Sequence, residues 1–328
     1  MKYIKALFFL FLLVGTIVIL YRHQGEIKAS YLISEGRIFG TSYKVVYQHT
    51  HPLDGEIASE LEKVDNSLSL FNPQSTLSRI NSGETSCVDS LFREVFMLSQ
   101  TIAATTNGAF DPTVAPAVNA WGFGPNRKSE LTQAVIDSLS ELIDYKKVQL
   151  VGDSAIYRAD NRMSLDYGAV AKGFGVDCIA QLLINKGVNN FMVEIGGEVI
   201  VNGVNDKGAS WRIGIQNPTS EDSSIKKVIN LNNAAMATSG NYRNYYVTEQ
   251  GVKVAHTIDP RTATPVSHSL LSATVIAPSC AVADAYATAF MVMGIDSAKT
   301  LLQAHPELSV YFIYDDNGTL STYSTIKN

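Results

Sequence analysis

Asp284 and Thr288 stand four residues apart in DAYAT, a spacing that sets a carboxylate and a hydroxyl on one face of a helix. Ser279 follows Pro278 and precedes an apolar run, so it is placed to cap that helix, and Ala281, Ala283, Ala285, Ala287 and Ala289 leave its backbone open to close approach. Two hard oxygens suit Mg²⁺, which keeps few protein donors and completes its shell with substrate phosphates. The pair alone does not make a site, because Asp and Thr fall one turn apart by chance on any helix. A second segment, SLDYGAVAKGFGVD from Ser164 to Asp177, carries a carboxylate at Asp166 and an ammonium at Lys172. Apolar strand residues run out at Asp166, Gly168, Gly173 and Gly175 permit tight backbone, and helical periodicity resumes through Ala180, Leu182 and Leu183. Such a corner can offer amides and Lys172 to a phosphate. It is neither GxGxxG nor a Walker sequence, and a plain strand-to-helix turn reads the same way.

The elements that position these groups follow from periodicity. Helices are expected over Leu53–Leu70, Ser90–Thr106, Leu131–Ile143, Phe174–Asn185, Ser279–Met293 and Ser297–Ala304. Strands are expected at Arg37–Gln48, Val148–Val151, Ala155–Arg158, Phe191–Ile195, Glu198–Asn202, Trp211–Gln216, Lys227–Leu231, Tyr245–Thr248, Val252–Ile258, Leu271–Ala277 and Ser309–Tyr314. They intersperse without a regular βαβ repeat, which leaves a mixed α/β or an α+β fold. With 328 residues, 46% of them hydrophobic and 17% charged, there is material for one sizeable core. A formal net charge of −5 gives no sign of a nucleic-acid binder. Cys87, Cys178 and Cys280 are an odd, scattered set without CxxC spacing, and are expected to be small buried thiols. His49 and His51 in HTHP read as a loop, not a metal pair.

The N-terminus departs from globular composition. Lys2 and Lys5 precede a nonpolar or weakly polar run from Ala6 to Tyr21, followed by Arg22 and His23. No Ala-x-Ala-like cleavage site follows, and no cysteine near its end could accept a lipid. Residues 1–23 are therefore expected to be a retained signal anchor, with residues 24–36 a tether. The positive-inside rule puts the lysines in the cytoplasm and the folded body outside, on the periplasmic face of a cell inner membrane.

Collinear motifs extend from Phe39 onward: FGTSYKV (Phe39 to Val45), SLFNPQSTLSRIN (Ser69 to Asn81), GAFDPTVAPAVNAWGFG (Gly108 to Gly124), SLDYGAVAKGFGVD, VEIGGEVIVNG (Val193 to Gly203), WRIGIQNP (Trp211 to Pro218), ATSGNYRNYY (Ala237 to Tyr246), HTIDPRTATPV (His256 to Val266) and DAYATAFMVMG (Asp284 to Gly294). In this series the chain resembles the ApbE family, the FAD:protein FMN transferases. The resemblance implies an α+β fold, a single compact mixed α/β catalytic domain over residues 37–328, with FAD as substrate in a cleft. It implies FAD contacts at Phe39, Phe71, Ala109, Phe110, Asp111, Asp166, Lys172 and Ile258. It further implies Mg²⁺ held by Asp284, Thr288 and the carbonyl of Ala169.

His256 occupies the position where the family keeps a histidine near the reacting phosphate, and an imidazole there can orient or deprotonate an incoming hydroxyl. A histidine hydrogen-bonded at a strand end reads the same way. Trp121 in NAWGFG either lines the same cleft or pins the loop that follows it, and the loop is expected. The implied reaction passes FMN from FAD to a threonine of an acceptor protein, a membrane or extracytoplasmic redox subunit, with AMP released. RTAT, Arg261 to Thr264, lacks the preceding glycine of the acceptor pattern, so the acceptor is another protein. Water in place of threonine would make an FAD pyrophosphatase, and a cleft without a metal would make a membrane-tethered flavin carrier.

Overall fold

Two-residue alternation brings the chain into a sheet at Ser30. The computed structural model describes residue 14 and residues 29–124, 131–218, 224–241, 245–247 and 253–326. Strand β1 (Ser30–Ile38) pairs antiparallel with β2 (Thr41–His49), and only Phe39 and Gly40 connect them. Both have positive φ, 50° and 74°, as the tightest hairpin loop requires. Of the stretch expected as a tether, residues 30–36 thus belong to β1. Serines at 30 and 34 and Glu35 disguise an alternation in which Leu32 and Ile38 pack inward while Ile33 stays exposed. The expected anchor lies outside the described residues apart from Val14, and among the described residues no helix is long and apolar enough to cross a membrane.

Helices α1 (Asp54–Leu68), α2 (Thr76–Asn81), α3 (Ser90–Thr105), α4 (Ala115–Ala120) and α5 (Gln133–Ser140) follow, then the hairpin β3–β4 (Val148–Val151, Ala155–Arg158) and α6 (Ala171–Asn185). The second half runs through β5 (Phe191–Ile195), β6 (Glu198–Asn202), the hairpin β7–β8 (Trp211–Gln216, Ile225–Leu231) and β9 (Ala234–Gly240). The small pairs β10–β11 (Tyr245–Val247, Lys253–Ala255) and β12–β13 (Ile258–Asp259, Thr264–Pro265) precede β14 (Leu270–Ala277). Helices α7 (Cys280–Met293) and α8 (Ile295–Leu302) and strands β15 (Ser309–Asp316) and β16 (Thr319–Ser324) end the described chain.

Eight strands form the main sheet in the order β1-β2-β5-β6-β9-β14-β15-β16, every neighbouring pair antiparallel. One face packs against helices: Val45, Tyr47, Val193 and Ile195 meet α1 and α6, while Ala237, Ala273, Val275 and Phe312 meet α3 and α7. The other face takes the β7–β8 hairpin, whose Trp211, Ile215, Ile229 and Leu231 cover Val199, Val201, Met236 and Ile313. Each large apolar side chain so buried contributes about 1.5–3 kcal/mol. A helix layer on one face of an antiparallel sheet is the α+β arrangement expected.

Three expected strands are not found as such, the first being Arg37–Gln48, which the turn at Phe39 and Gly40 divides between β1 and β2. Val252–Ile258 is broken, since β11 ends at Ala255 and β12 begins at Ile258, leaving His256 and Thr257 on neither ladder. The residues before Asp166 are extended without a strand partner. There the Asn81 side chain substitutes for a neighbouring strand, donating to the Leu165 carbonyl and accepting from its amide at 2.8 Å each, and Asp166 N–H donates to the Pro112 carbonyl at 2.7 Å.

Candidate active site

Helix α7 starts as its sequence suggests: Ser279 is its N-cap and accepts from the Val282 amide. A second cap comes from α6, where Asp177 accepts from Ser279 Oγ, Cys280 N–H and Ala281 N–H at 2.8 Å each. Burial nonetheless pushes the Asp177 carboxyl above its ordinary range. The two helices also touch through backbone, for a Cβ added at Gly173 would collide with the Cys280 carbonyl. Close approach there lets the Gly173 amide donate to Asp284 Oδ2 at 3.1 Å and sets Lys172 beside the same carboxylate. Nearly the whole of α7 is buried, so Asp284, 2% exposed, is a charge placed deliberately in apolar surroundings.

Lys172 Nζ lies 2.9 Å from Glu198 Oε1 and 3.9 Å from Asp284 Oδ1. Burial alone would lower the lysine, but the two carboxylates outweigh it and hold the ammonium above its ordinary value. For Glu198 burial dominates and pushes the carboxyl up, against the pull of Lys172. Its second oxygen, Oε2, is buried without a hydrogen-bond partner. Glu198 was not among the expected site residues. It sits within VEIGGEVIVNG, where an acid opening an otherwise apolar strand after two glycines was the available signal.

A cavity of about 500 Å³, within the range of small-molecule sites, opens above this cluster. Phe71, Ala109, Phe110, Asp111, Asp166, Ala169, Lys172, His256, Ile258, Asp284 and Thr288 all line it, together with the unexpected Phe123, Glu198 and Ser239. Phe39 is the exception among the expected residues. Its left-handed turn directs the ring inward, 2.7 Å from where a Gly175 Cβ would stand, and it packs against both helix-side core clusters instead of lining the cavity.

The lining residues differ in what they have left to offer. Asp111 accepts from Thr113 Oγ1 at 2.6 Å and from the amides of Thr113 and Tyr145 at 2.8 Å, so its carboxylate is engaged by its own chain. Asp166, its carboxyl raised by desolvation, accepts from Gly168 N–H at 2.6 Å. Thr288 Oγ1 is 3.1 Å from Ser239 Oγ on β9. His256 stands edge-to-face with Phe123, ring centres 6.2 Å apart. Phe71 is 78% exposed at the mouth, on a loop held by Ser69 Oγ, which accepts from the amides of Phe71 and Asn72. Trp121 does not line the cavity; its indole donates to the Ala263 carbonyl at 2.8 Å and pins the β12–β13 turn, a different loop from the one that follows it in sequence. The expectation of three buried thiols holds for Cys280 only, since Cys178 is half-buried and Cys87 exposed.

Among the described residues no group of three or more His, Cys, Asp or Glu side chains is arranged to hold a metal. A cation here would depend on a mixed oxygen set, and the lining residues Asp284 and Thr288 carry a hard carboxylate and a hydroxyl for it, with Ala169 beside them on the same cavity. That chemistry fits Mg²⁺, which accepts few protein oxygens, and does not fit a softer metal.

Known proteins resemble the chain over most of its length. An FAD:protein FMN transferase of Haemophilus influenzae is 35% identical over 312 residues, covering 88% of each chain. One from Vibrio cholerae is 33% identical over 294 residues, covering 86% of this chain and 87% of the relative. Among solved structures, the flavin transferase ApbE from Vibrio cholerae superposes with a TM-score of 0.81 at 32% identity, covering 90% of this chain and 97% of that one. The apo flavinyl transferase ApbE of Pseudomonas stutzeri gives 0.80 at 28% identity, covering 92% and 96%. The ApbE family model itself matches residues 39–312, which run from the β1–β2 turn through every lining residue of the cavity into the first half of β15. On sequence and on fold alike, the chain belongs to the ApbE family.

Proposed function

We propose that the chain transfers FMN from FAD to a threonine hydroxyl of another protein, releasing AMP. The observation that carries this reading is the cavity floor, where Lys172, Asp284 and Thr288 bring one ammonium and hard oxygens to one place in a chain whose relatives are named FAD:protein FMN transferases. Asp284, Thr288 and the Ala169 carbonyl would hold Mg²⁺ there. When bound, the ion would offset diphosphate charge and polarise the phosphorus of the FMN half. Lys172 stands where it adds a second positive charge toward the diphosphate, and Phe71, Phe110 and Ile258 offer apolar surface to the rings. The acceptor oxygen forms a bond to the FMN phosphorus, the bond from that phosphorus to the bridging oxygen breaks, and the bridging oxygen leaves with AMP. His256, on the cavity wall, takes the hydroxyl proton. Positioning and electrostatics then supply the rate, as in phosphoryl transfer generally.

The same proposal places the folded domain outside the cytoplasm, tethered by the N-terminal segment. Lys2 and Lys5 before the run from Ala6 to Tyr21 support this orientation. A reporter fused at the C-terminus should be active only outside the cytoplasm, and a cytosolic signal would reject the orientation.

The decisive assay combines the protein with FAD, Mg²⁺ and a candidate acceptor from the same cell. Flavin fluorescence should become covalently attached to the acceptor with one AMP formed per flavin. Release of free FMN and AMP as fast without acceptor as with it would establish a hydrolase instead.

A further inference from the structure

We infer that Glu198 is a positioning residue, one that holds the Lys172 ammonium away from Asp284 and so keeps that carboxylate open to a cation. The inference rests on the reading of Asp284 as a cation ligand. Among the described residues, the carboxylates facing Lys172 are Glu198 and Asp284, and the ammonium is not shared equally between them. At 2.9 Å it is hydrogen-bonded to Glu198 Oε1, whereas at 3.9 Å it stands beyond hydrogen-bond reach of Asp284 Oδ1. The other Asp284 oxygen already accepts from the Gly173 amide, so Oδ1 is the one that the ammonium and a metal would contest. A four-carbon side chain can close a gap of about 1 Å by small rotations. Without an anion on β6 to retain it, Lys172 would swing onto Oδ1 and become the counter-ion of Asp284. A lysine in that place excludes a divalent cation both sterically and by charge.

The cost of Glu198 points the same way. It is 3% exposed, it opens a strand whose next residues are Val199, Ile200 and Val201, and its Oε2 has no partner. A buried carboxylate with half its acceptor capacity unused is destabilising by itself, and a hydrocarbon side chain would serve the fold better. Its hydrogen-bonding partner in the cavity is Lys172, which makes the lysine's placement the function that offsets this cost. Ser239 adds a parallel on the neighbouring strand β9, where it fixes the hydroxyl of Thr288 as Glu198 fixes the ammonium.

The test reads cation binding directly, with Mn²⁺ as an electron-paramagnetic probe titrated into the full chain without FAD. Asp284→Ala comes first and should lose Mn²⁺ binding; if it binds Mn²⁺ like the wild type, the cation reading of Asp284 falls and this inference with it. Given that loss, Glu198→Gln, which keeps the shape of the side chain, should weaken Mn²⁺ by about tenfold as Lys172 turns to Asp284. Adding Lys172→Met to Glu198→Gln should restore binding to at least the wild-type level. An unchanged affinity in Glu198→Gln overturns the inference while leaving the Asp284 site standing. A double variant as weak as Glu198→Gln also overturns it, because Glu198 would then be serving the cation directly. Should Glu198→Gln not fold, Glu198→Asp, which keeps the anion but draws it back from the ammonium, decides: weakened Mn²⁺ binding that an added Lys172→Met restores supports the inference, and an unchanged affinity overturns it.

Discussion

Lys172, Glu198 and Asp284 meet on the cavity floor from a strand and two helices that touch backbone to backbone at Gly173, whereas Phe71, Phe123 and His256 reach its rim from segments between elements. On the floor, charge is buried and nearly every group is held by a named partner. On the rim, aromatic surface faces water and the holding contacts are loop hydrogen bonds, as at Ser69 and Trp121. The contrast assigns different work to each. A preorganised floor suits charge that develops in a transition state, because its dipoles need not reorganise as the reaction proceeds. An open rim suits entry of a dinucleotide and approach of a protein hydroxyl.

The largest effect is expected where the floor is broken. Asp284→Ala should slow covalent flavin transfer by about 10³–10⁵-fold, several kcal/mol of lost charge stabilisation. The fold should survive, since the packing of α7 rests on its alanine faces and loss of the Gly173 contact costs about 1 kcal/mol. Flavin fluorescence on the acceptor and a thermal melt measure the two separately. Full activity at ordinary Mg²⁺ levels would remove the floor from the chemistry.

At the rim the expected effect is kinetic. His256→Ala should slow transfer by about 10²–10⁴-fold, the usual worth of a general base, while FAD affinity stays near wild type. The reverse outcome, lost FAD binding with an unchanged rate at saturation, would make the histidine a ligand contact and move the base elsewhere.

How far each region was legible in the sequence follows the same division. The α7 start could be read from Ser279, because local chemistry writes a cap, whereas the spacing of Asp284 and Thr288 put them on one helix face and only the collinear motifs set that pair apart from a chance one. Glu198 could not be assigned a task that way, for its meaning depends on a lysine 26 positions earlier and an aspartate on another helix, and only the folded sheet joins them. Strand β9, which brings Ser239 to Thr288, escaped for a different reason: AAMATSG is almost free of β-branched and aromatic residues, and its strand conformation comes from its neighbours β6 and β14. Phe39 was placed in the site on a motif, and the two positive φ angles of its turn, which no composition reveals, direct it to the core.

Two phenylalanines sharpen the comparison at smaller scale. Phe71→Ala should leave stability within about 0.5 kcal/mol, as for other exposed positions, yet raise the FAD concentration for half-maximal rate by about tenfold. Phe39→Ala should do the opposite, lowering stability by about 2–3 kcal/mol, somewhat under the range for fully buried phenylalanines, with little change in FAD affinity among the molecules that remain folded. Denaturant melts and FAD titrations on both variants would expose a misplaced ring, since a large affinity loss at Phe39 would return it to the site.

The mildest test changes nothing in the enzyme and asks whether the floor ever opens. Cys87 is exposed on the surface, Cys178 is half-buried on α6 with its thiol pushed up to about 12 by burial, and Cys280 is the buried first residue of α7. Burial also raises the Cys280 thiol well above the usual range. Alkylation needs thiolate, and at pH 8 a thiol of pKa near 12 offers about one part in 10⁴. Iodoacetamide should therefore modify Cys87 first, Cys178 much later, and Cys280 only in step with global unfolding, as read by peptide mass over time. The Cys280 rate should also rise with denaturant along the unfolding curve, because exposing it requires α6 and α7 to separate at Gly173. Native-state labelling of Cys280 at the rate of Cys178 would mean that the helix carrying Asp284 detaches on its own, and the contrast between a fixed floor and a yielding rim would be lost.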